Sequence, residues 1–426
     1  MGLAPLGDVT FVVPRSEYVT EQLPLLRELG DIDDHTLTAG PETTGTARDT
    51  RYDAILTFSE RMLDSTAHLA NSLGLPFHNP KTVRLLTSKS AQRQRLHEAG
   101  VDSVRCHEIT NPDEWEEAVA HVGLPAVLKP VRGEGSRNTL LIEHEQDGRH
   151  AVAEYFRRAA DDDGSQRPAN RQTPPIQLEE YLRGRDETPF GDYVSVECAA
   201  SGGEVVALAV TGKYPQLKPF REIGQFWPSH LRSDEQQQVA QLAKDAVDAL
   251  GVRIGLTHTE IKLTETGPHI IEVNGRLGGF IHELGLYAAG IDLVTQAGRL
   301  ALNPTVPASE LLGGPLKLKD GAFFIGMNPA PTVPCRLDAI RGIRDVRSAP
   351  GLLGYQVYER PGAQLPGGVM STALDLFIGT APDHRAMFPV IDDIRKTLTF
   401  TFSDTSGRTW QWNGIELMQQ PAASDS

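Results

Sequence analysis

The stretch around Thr266 carries carboxylate, amide and guanidinium side chains at alternating positions. Residues 255–279 read GLTHTEIKLTETGPHIIEVNGRLGG, and the turn-forming residues 265–268 between two strand-like segments predict a β-hairpin. If the turn centres near Thr266, Glu260 and Glu272 become cross-strand neighbours with Cβ atoms about 5 Å apart. Two carboxylates at that distance repel each other unless a cation lies between them. The pattern therefore predicts a cation site on this hairpin.

The side chains beside the two carboxylates suggest which cation this is. Oxygen ligands from Glu260, Glu272 and Asn274, completed by phosphate and water, match the coordination that Mg²⁺ prefers. Arg276 follows Asn274 on the same face and can reach a transferring phosphate or an oxyanion. These residues are the predicted metal site and its catalytic arginine.

Strict alternation also assigns the apolar side chains of the second strand. It places Ile270 on the face of Glu272 and Asn274, whereas Ile271 and Val273 occupy the other face. The alternative, a solvent-facing hairpin with mixed charges, fits Ile271 and Val273 poorly, because they indicate a buried sheet.

A second candidate site lies nearer the N-terminus. Lys129 stands in the apolar strand predicted at residues 125–131 and is followed by Gly133, Gly135 and Ser136. An ammonium beside a backbone that can approach closely suits a triphosphate. The spacing is neither that of a P-loop nor that of a dinucleotide fingerprint, so a surface turn with a solvated lysine stays open.

Two further segments are weaker candidates for nucleotide contacts. On the helix predicted at residues 80–98, Lys89 and Arg93 share a face and either meet phosphate or stay solvated. The strand-like residues 177–182 (QLEEYL) end where their backbone could meet a purine edge.

The elements that must position these groups are of mixed type. Apolar runs at residues 9–14 and 52–58, with a helical pattern around residues 21–29 between them, predict a βαβ unit. A polar connection at residues 161–175 is expected to be exposed and mobile inside a lid. From residue 307 onward, short strand-like segments alternate with helical ones, which predicts an α+β part.

Composition excludes several functional classes. A chain of 426 residues is too long for one core, so about two or three subdomains around a shared cleft are expected. A formal charge of −15 argues against nucleic acid or an anionic membrane as the main partner. Three widely spaced cysteines suggest no disulfide framework or zinc cluster, and no signal-like or membrane-spanning segment is evident, so we expect a cytoplasmic protein.

The spacing of Glu260, Glu272, Asn274 and Arg276 resembles the Glu, Glu-x-Asn-x-Arg signature of the ATP-grasp superfamily, and the resemblance covers roughly residues 89–279. It implies ATP and two Mg²⁺ ions, for which Mn²⁺ can substitute. The nucleotide-binding residues that it implies are Lys89, Lys129, Gly133, Gly135, Ser136, Glu179, Glu180, Leu182 and Asp192.

The fold implied is α/β and α+β, namely an N-terminal open α/β domain, an ATP-grasp lid and core, and a C-terminal α+β subdomain. The boundaries expected for these parts and a disordered tail are residues 1–95, 96–305, 306–418 and 419–426.

The phrases DAILTF, LANSLGLP and THTEIK are similar to the L-amino-acid ligase branch, which makes dipeptides. In that branch a Glu-x-Gly-His-x-x-Pro stretch helps to bind the amino acid. Here the stretch begins at Glu222, and Gln225 replaces the histidine, so a different substrate choice is expected. An insertion before Asp192 leaves either Asp192 or Glu187 as the residue that binds ribose.

The residues after Arg276 are expected to complete the substrate pocket. Because the chain turns at Gly278 and Gly279, Phe280 and His282 should emerge beside the acyl side chain, where Phe280 limits its size. The alternative is that Phe280 is an ordinary core residue.

The resemblance implies an ADP-forming carboxylate–amine ligase acting on small molecules. The substrate carboxylate attacks the γ-phosphorus, an amine attacks the acyl phosphate, Arg276 stabilises the oxyanion and Glu222 holds the substrate ammonium. A ligase acting on bicarbonate, formate or a ribonucleotide is the first alternative. A non-catalytic nucleotide-binding protein is the second, and a homodimer is compatible with each.

Overall fold

The computed structural model describes residues 2–13, 17–33, 52–133, 135–136, 138–161, 173–314, 316–368 and 372–420. Most of the polar connection predicted at residues 161–175 and of the tail predicted at residues 419–426 lies outside these ranges. Within them, no helix combines the length and the apolar character needed to cross a membrane.

The strands of the described residues are numbered in chain order. They are β1 (Thr10–Val12), β2 (Asp31–Asp33), β3 (Cys106–Ile109), β4 (Ala126–Pro130), β5 (Leu140–Ile142), β6 (Ile176–Glu180), β7 (Tyr193–Ser201), β8 (Glu204–Lys213), β9 (Gly224–Trp227), β10 (Gly255–Thr264), β11 (Gly267–Asn274), β12 (Ala322–Pro329), β13 (Cys335–Arg341), β14 (Leu352–Val357), β15 (Gln364–Leu365), β16 (Ala373–Ala381), β17 (Thr399–Ser403) and β18 (Thr409–Asn413).

The α-helices are numbered in the same way. They are α1 (Glu17–Leu29), α2 (Leu63–Leu73), α3 (Pro80–Thr87), α4 (Lys89–Glu98), α5 (Trp115–Val122), α6 (Glu145–Asp161), α7 (Ser233–Ala249), α8 (Ile281–Ala289), α9 (Leu293–Leu302), α10 (Ala308–Leu312), α11 (Ile343–Val346), α12 (His384–Thr397) and α13 (Gly414–Met418).

One large sheet carries most of the candidate site. Its strand order is β11-β10-β7-β8-β9-β12-β16-β14, so it includes strands from both sides of the boundary predicted at residue 305. Apolar side chains of β7, β10 and β11 pack with α7 and with α3 and α4 in one core cluster. Because that face is closed by helices, the opposite face of these strands is the one that can line a cleft.

A smaller antiparallel sheet, here called the lid sheet, has the order β3-β6-β4-β5. Its own core contains Trp115, Ile142, Val152 and Leu178, which α5, α6 and the strands contribute. This separate core holds β4 and β6, and with them Lys129 and Glu179, as a unit beside the large sheet.

The βαβ unit predicted near the N-terminus is present, but its second strand is not where it was predicted. β1 pairs in parallel with β2, which follows α1 directly, and residues 52–58 form no strand although all are described. The second strand was not predicted because it has only three residues (DID), two of which are aspartates. Residues 55–58 instead line a pocket against Leu277 and α9.

The single helix predicted at residues 80–98 is two helices separated at Ser88. Ser88 has an extended backbone (φ −123°, ψ 108°), and its hydroxyl accepts a hydrogen bond of 3.4 Å from the Ala91 amide. This N-cap satisfies an amide of a new first turn, so α4 begins at Lys89. The Lys89 amide donates to the Val131 carbonyl (3.0 Å), which joins the start of α4 to the end of the lid sheet.

The hairpin of β10 and β11 has the predicted register at its centre but not beyond it. Glu260 lies directly opposite Glu272, and a bulge follows, so Ile261 pairs with Ile270. The extra residue shifts the alternation by one position. Ile270 therefore packs in the helix-covered core instead of sharing the face of Glu272, and Ile271 lines a cleft.

Candidate active site

Two clefts meet at the carboxylate pair of the hairpin. The first cleft lies between the lid sheet and β10–β11, and it is lined by Lys89, Val127, Lys129, Pro130, Gly133, Gly135, Ser136, Thr139, Glu179, Glu180, Tyr181, Leu182, Gln216, Phe220, Glu260, Lys262, Ile271 and Glu272. Every nucleotide-binding residue predicted from the sequence except Asp192 lines it.

At the metal end, Glu272 is held by its neighbours. Its Oε2 lies 2.7 Å from Lys89 Nζ, and its Oε1 accepts a hydrogen bond of 3.1 Å from the amide of Asn274. Burial raises the pKa of Glu272, but the charge and hydrogen bond of Lys89 outweigh it and lower the pKa to about 2. Glu272 is thus an anion, available as an oxygen ligand.

The side-chain oxygens of Glu260, Glu272 and Asn274 determine which metal ion this site suits. In the parts of the chain that the structure describes, no group of three or more His, Cys, Asp or Glu side chains is arranged to hold a metal ion alone. Two opposed carboxylates and one amide suit a hard cation that takes its remaining ligands from phosphate and water. Glu260, Glu272 and Asn274 fit Mg²⁺ bound together with a nucleotide.

At the phosphate end, Glu179 joins two cations. Its Oε1 lies 2.8 Å from Lys129 Nζ, and Arg93 donates to its two oxygens at 2.8 and 2.9 Å. Burial raises the pKa of Glu179, but the two cations reverse the effect and lower it to about 2. Burial dominates for Lys129 and lowers the pKa of its ammonium.

This network changes the roles expected for two residues. Arg93 is buried and bound to Glu179 and to the carbonyls of Ile270 and Ile271, so it neither contacts solvent nor lines the first cleft. The Glu179 carboxylate is bonded to Lys129, so only the backbone of Glu179 remains available to a purine edge. No local pattern predicts this pair, because 86 residues separate Arg93 from Glu179.

The glycine-bearing turn covers the first cleft from the lid sheet. Gly135 and Ser136 have φ of 66° and 55°, in the left-handed region, and the Ser136 hydroxyl donates to the Phe220 carbonyl at 2.9 Å. Lys89 Nζ also donates to the Gly133 carbonyl at 2.9 Å. The turn is therefore tied to both sides of the cleft.

The two candidates for ribose binding lie in different surroundings. Asp192 Oδ1 is 2.6 Å from Lys262 Nζ, and Lys262 lines the first cleft. Glu187 is bound instead by Arg185 and by His230 Nε2, the latter at 2.7 Å. The arrangement favours Asp192.

The second cleft contains all of the predicted substrate residues together with Arg276. It is lined by Phe58, Ser59, Gly135, Ser136, Lys213, Gln216, Glu222, Gly224, Gln225, His258, Glu260, Glu272, Arg276, Leu277, Gly278, Gly279, Phe280, His282, Glu283, Val294, Ile325 and Met327.

Polar contacts hold three of the predicted residues of the second cleft. Glu222 Oε1 accepts a hydrogen bond of 2.9 Å from the Tyr193 hydroxyl and lies 3.4 Å from Lys213 Nζ. Arg276 Nε lies 3.5 Å from Glu60 Oε2. His282 Nδ1 lies 3.6 Å from Asp292 Oδ1.

Lys213 was not predicted as a site residue, because its partner Gln225 lies on another strand. It is the last residue of β8 and lies directly opposite Gln225, so the two share a face. Burial lowers the pKa of Lys213, but the carboxylates of Glu222 and Glu260 reverse the effect and raise it. A buried cation thus stands beside the predicted substrate residues.

His258 and Glu197 were not predicted as site residues either, because each lies on a different strand from its partner. They are cross-strand partners in β10 and β7, and His258 Nδ1 is hydrogen-bonded to Glu197 Oε1. Burial lowers the pKa of His258, but the charge and hydrogen bond of Glu197 outweigh it and raise it to about 9. His258 Nε2 then lies 3.4 Å from Glu260 Oε1.

Part of the chain matches a known protein domain. Residues 122–283 match the family model of the ATP-grasp domain. The chain contains an ATP-grasp domain. The domain spans β4 to β11, so it includes both strands of the hairpin and three of the four strands of the lid sheet. The resemblance to the ATP-grasp superfamily predicted from the sequence is confirmed for these residues.

Proteins with sequence similarity to this chain include a ligase and a synthase. Alanine–anticapsin ligase of Bacillus subtilis (strain 168) is 28% identical over 54% of this chain and 49% of its own length. Carnosine synthase 1 of Homo sapiens is 29% identical over 63% of this chain and 33% of its own length. The match thus covers half or less of each of these relatives.

Among solved structures, an L-amino acid ligase from Bacillus licheniformis superposes with a TM-score of 0.75 over 94% of both chains, at 20% sequence identity. At that identity the likeness concerns the fold. It confirms the mixed α/β, ATP-grasp fold class predicted from the sequence.

Proposed function

We propose that the protein is an ATP-dependent ligase that joins the carboxylate of one amino acid to the amine of another, through an acyl phosphate, and releases ADP and phosphate. One observation carries the proposal: Glu260 and Glu272 line both clefts. A cation held by them lies where a phosphate from the first cleft meets a carboxylate from the second. Such a junction is what transfer between two bound substrates requires.

In the first cleft, Lys89 and Lys129 would hold the triphosphate, and the backbone of residues 180–182 would face the adenine. Glu260, Glu272 and Asn274 would hold two Mg²⁺ ions, for which Mn²⁺ can substitute. When bound, these ions neutralise phosphate charge and align the γ-phosphate. Asp192 binds ribose in this proposal, supported by its contact with Lys262.

In the second cleft, Arg276 stabilises the oxyanion that forms when the amine attacks the acyl phosphate. Glu222 holds a substrate ammonium by a charge-assisted bond, and Lys213 Nζ lies 3.4 Å from the same carboxylate. Phe280 and His282 contact the substrate side chain from the start of α8.

The lining of the second cleft favours amino acids over the smallest carboxylates. Its apolar residues are Phe58, Leu277, Phe280, Val294, Ile325 and Met327. A site for bicarbonate or formate has no apolar group to cover, whereas an amino-acid side chain gains free energy by leaving water here. The free cysteines Cys106, Cys198 and Cys335 fit a reducing compartment such as the cytoplasm.

The test is Mg²⁺-dependent release of ADP across single amino acids, amino-acid pairs, bicarbonate and formate, with the products identified by mass spectrometry. We expect ADP release to require a pair of amino acids and to match dipeptide formation mole for mole. Release with bicarbonate or formate alone would replace the amino-acid assignment. Absence of release with every substrate would contradict a ligase.

A further inference from the structure

Glu197 is a charged residue beneath the junction of the two clefts, and the proposed chemistry does not use it. Its side chain has 0% exposure. One carboxylate oxygen is hydrogen-bonded to His258 Nδ1, and the other accepts a hydrogen bond of 3.0 Å from the Gly278 amide. A carboxylate removed from water is costly unless it is paired, so this arrangement needs a reason.

The fold brings these three residues together from separate elements. His258 lies opposite Glu197 in the register of β10 and β7, two positions before Glu260 on the cleft-facing side of the sheet. Gly278 follows the hairpin in the turn that leads to α8. A Cβ atom at Gly278 would lie 2.3 Å from His258 Nδ1, so the close approach requires glycine.

The contacts form a chain from Glu260 through His258 and Glu197 to Gly278, here called the contact chain. Both of its ends belong to the proposed site. At one end, His258 Nε2 lies 3.4 Å from Oε1 of the metal ligand Glu260. At the other end, Gly278 belongs to the turn between Arg276 and Phe280. The far side of the same turn is held as well, because the Gln225 amide donates to the Gly279 carbonyl at 2.6 Å.

We propose that Glu197 and His258 are positioning residues that hold the metal ligand Glu260 and the Gly278 turn in a fixed relation. The inference rests on the proposed function. Through His258, Glu197 orients the carboxylate that binds Mg²⁺, and through the Gly278 amide it sets where Arg276 and Phe280 enter the second cleft. Outer partners of this kind orient metal ligands and align them with the reacting groups.

The test compares Glu197→Gln, His258→Gln and the double variant with Ser195→Ala. Ser195 is also fully buried on β7 and lies opposite Glu260 in the register, but its hydroxyl is bonded to Thr211 (2.6 Å) and not to Glu197, His258 or Glu260. Calorimetry measures ADP binding without metal, and then Mg²⁺ binding to the ADP complex. Thermal unfolding is measured in parallel on the same full-length proteins.

We expect Glu197→Gln and His258→Gln to bind metal-free ADP as the unchanged protein does, but to bind Mg²⁺ about 10- to 100-fold more weakly. The double variant should lose no more than the worse single variant, because the two residues act as a unit. Ser195→Ala should keep its Mg²⁺ affinity.

Two results would overturn the inference. One is an unchanged Mg²⁺ affinity in both single variants. The other is an equal loss of metal-free ADP binding, Mg²⁺ binding and thermal stability, which would mark the pair as structural only. Should Glu197→Gln fail to fold, His258→Gln decides by the same two measurements. If the unchanged protein binds no ADP under either condition, the proposed function itself fails, which is a distinguishable outcome.

Discussion

Lys89 Nζ lies 2.7 Å from Glu272 Oε2, so the first residue of α4 neutralises a predicted metal ligand. The same ammonium reaches the Gly133 carbonyl in the turn over the first cleft. In the proposed function, Glu272 would hold a cation bound with the nucleotide, and Lys89 would hold phosphate beside it. The salt bridge with Lys89 and the proposed binding of a cation both depend on the negative charge of Glu272.

Glu272→Gln should leave the protein folded and abolish ADP formation. A neutral amide cannot bridge two divalent ions, and loss of comparable electrostatic stabilisation lowers kcat by about 100-fold or more. The measurement is ADP release with the best substrate pair, together with circular dichroism of the variant.

Glu265→Gln is the matched control for this substitution. Glu265 is exposed in the turn of the same hairpin, so the same chemical change there should leave turnover intact. Near-normal turnover by folded Glu272→Gln would refute the metal assignment.

Local patterns predicted the parts of the site that lie within one element. Alternation and the turn around Thr266 were enough to place Glu260 opposite Glu272, because both strands and their connection lie in one continuous segment. The bulge after this pair was not predictable, since nothing in the residues themselves signals the extra residue at Ile271. It reversed the faces assigned to Ile270 and Ile271.

Contacts between distant elements were beyond the sequence. Arg93 and Lys89 were expected to share a role because they share a helical face, but Glu179 of the lid sheet recruits Arg93 into a buried network. The partners of Lys213 and Glu197 likewise depend on the order of strands in the large sheet, which a single sequence does not encode locally.

Arg93→Met should destabilise the protein by about 3–5 kcal/mol, because it leaves the buried Glu179 carboxylate with an incomplete set of partners. Denaturant unfolding measures the change in the free energy of unfolding. Arg84→Met, an exposed arginine at the end of α3, is the control and should change stability little. If Arg93→Met kept full stability and only weakened ATP binding, Arg93 would contact phosphate after all.

His78 should make the protein sensitive to acid. Burial lowers the pKa of this imidazole to about 4, against the opposing effect of a hydrogen bond that it donates to the Gly275 backbone. The unfolded chain binds a proton below about pH 6.5 and the folded state only below about pH 4. Stability is therefore fully present above pH 6.5 and falls as the pH drops toward 4.

The size of this effect follows from the separation of the two pKa values and is on the order of 3 kcal/mol. His78→Leu should remove that part of the pH dependence, whereas His97→Leu, at an exposed position on α4, should retain it. Denaturant unfolding at pH 7 and pH 4.5 tests this expectation. Parallel losses of stability by the unchanged protein and His78→Leu would contradict it.

Phe280 should set the size of the substrate that the second cleft accepts. Its ring lines that cleft and stacks on Tyr358, with ring centroids 6.2 Å apart. Phe280→Ala removes the ring and should allow bulkier amino acids, measured as kcat/KM across a series of increasing side-chain size. The KM for ATP should stay unchanged, because Phe280 does not line the first cleft.

The backbone at Phe280 separates this role from simple packing. Its φ of 63° lies in the left-handed region, which costs a residue with a Cβ atom about 1–2 kcal/mol and glycine almost nothing. Phe280→Gly should therefore widen the substrate range as Phe280→Ala does, yet it should unfold at a higher denaturant concentration than Phe280→Ala. If both variants lost stability equally while substrate preference stayed the same, Phe280 would be a core residue and the pocket assignment would be wrong.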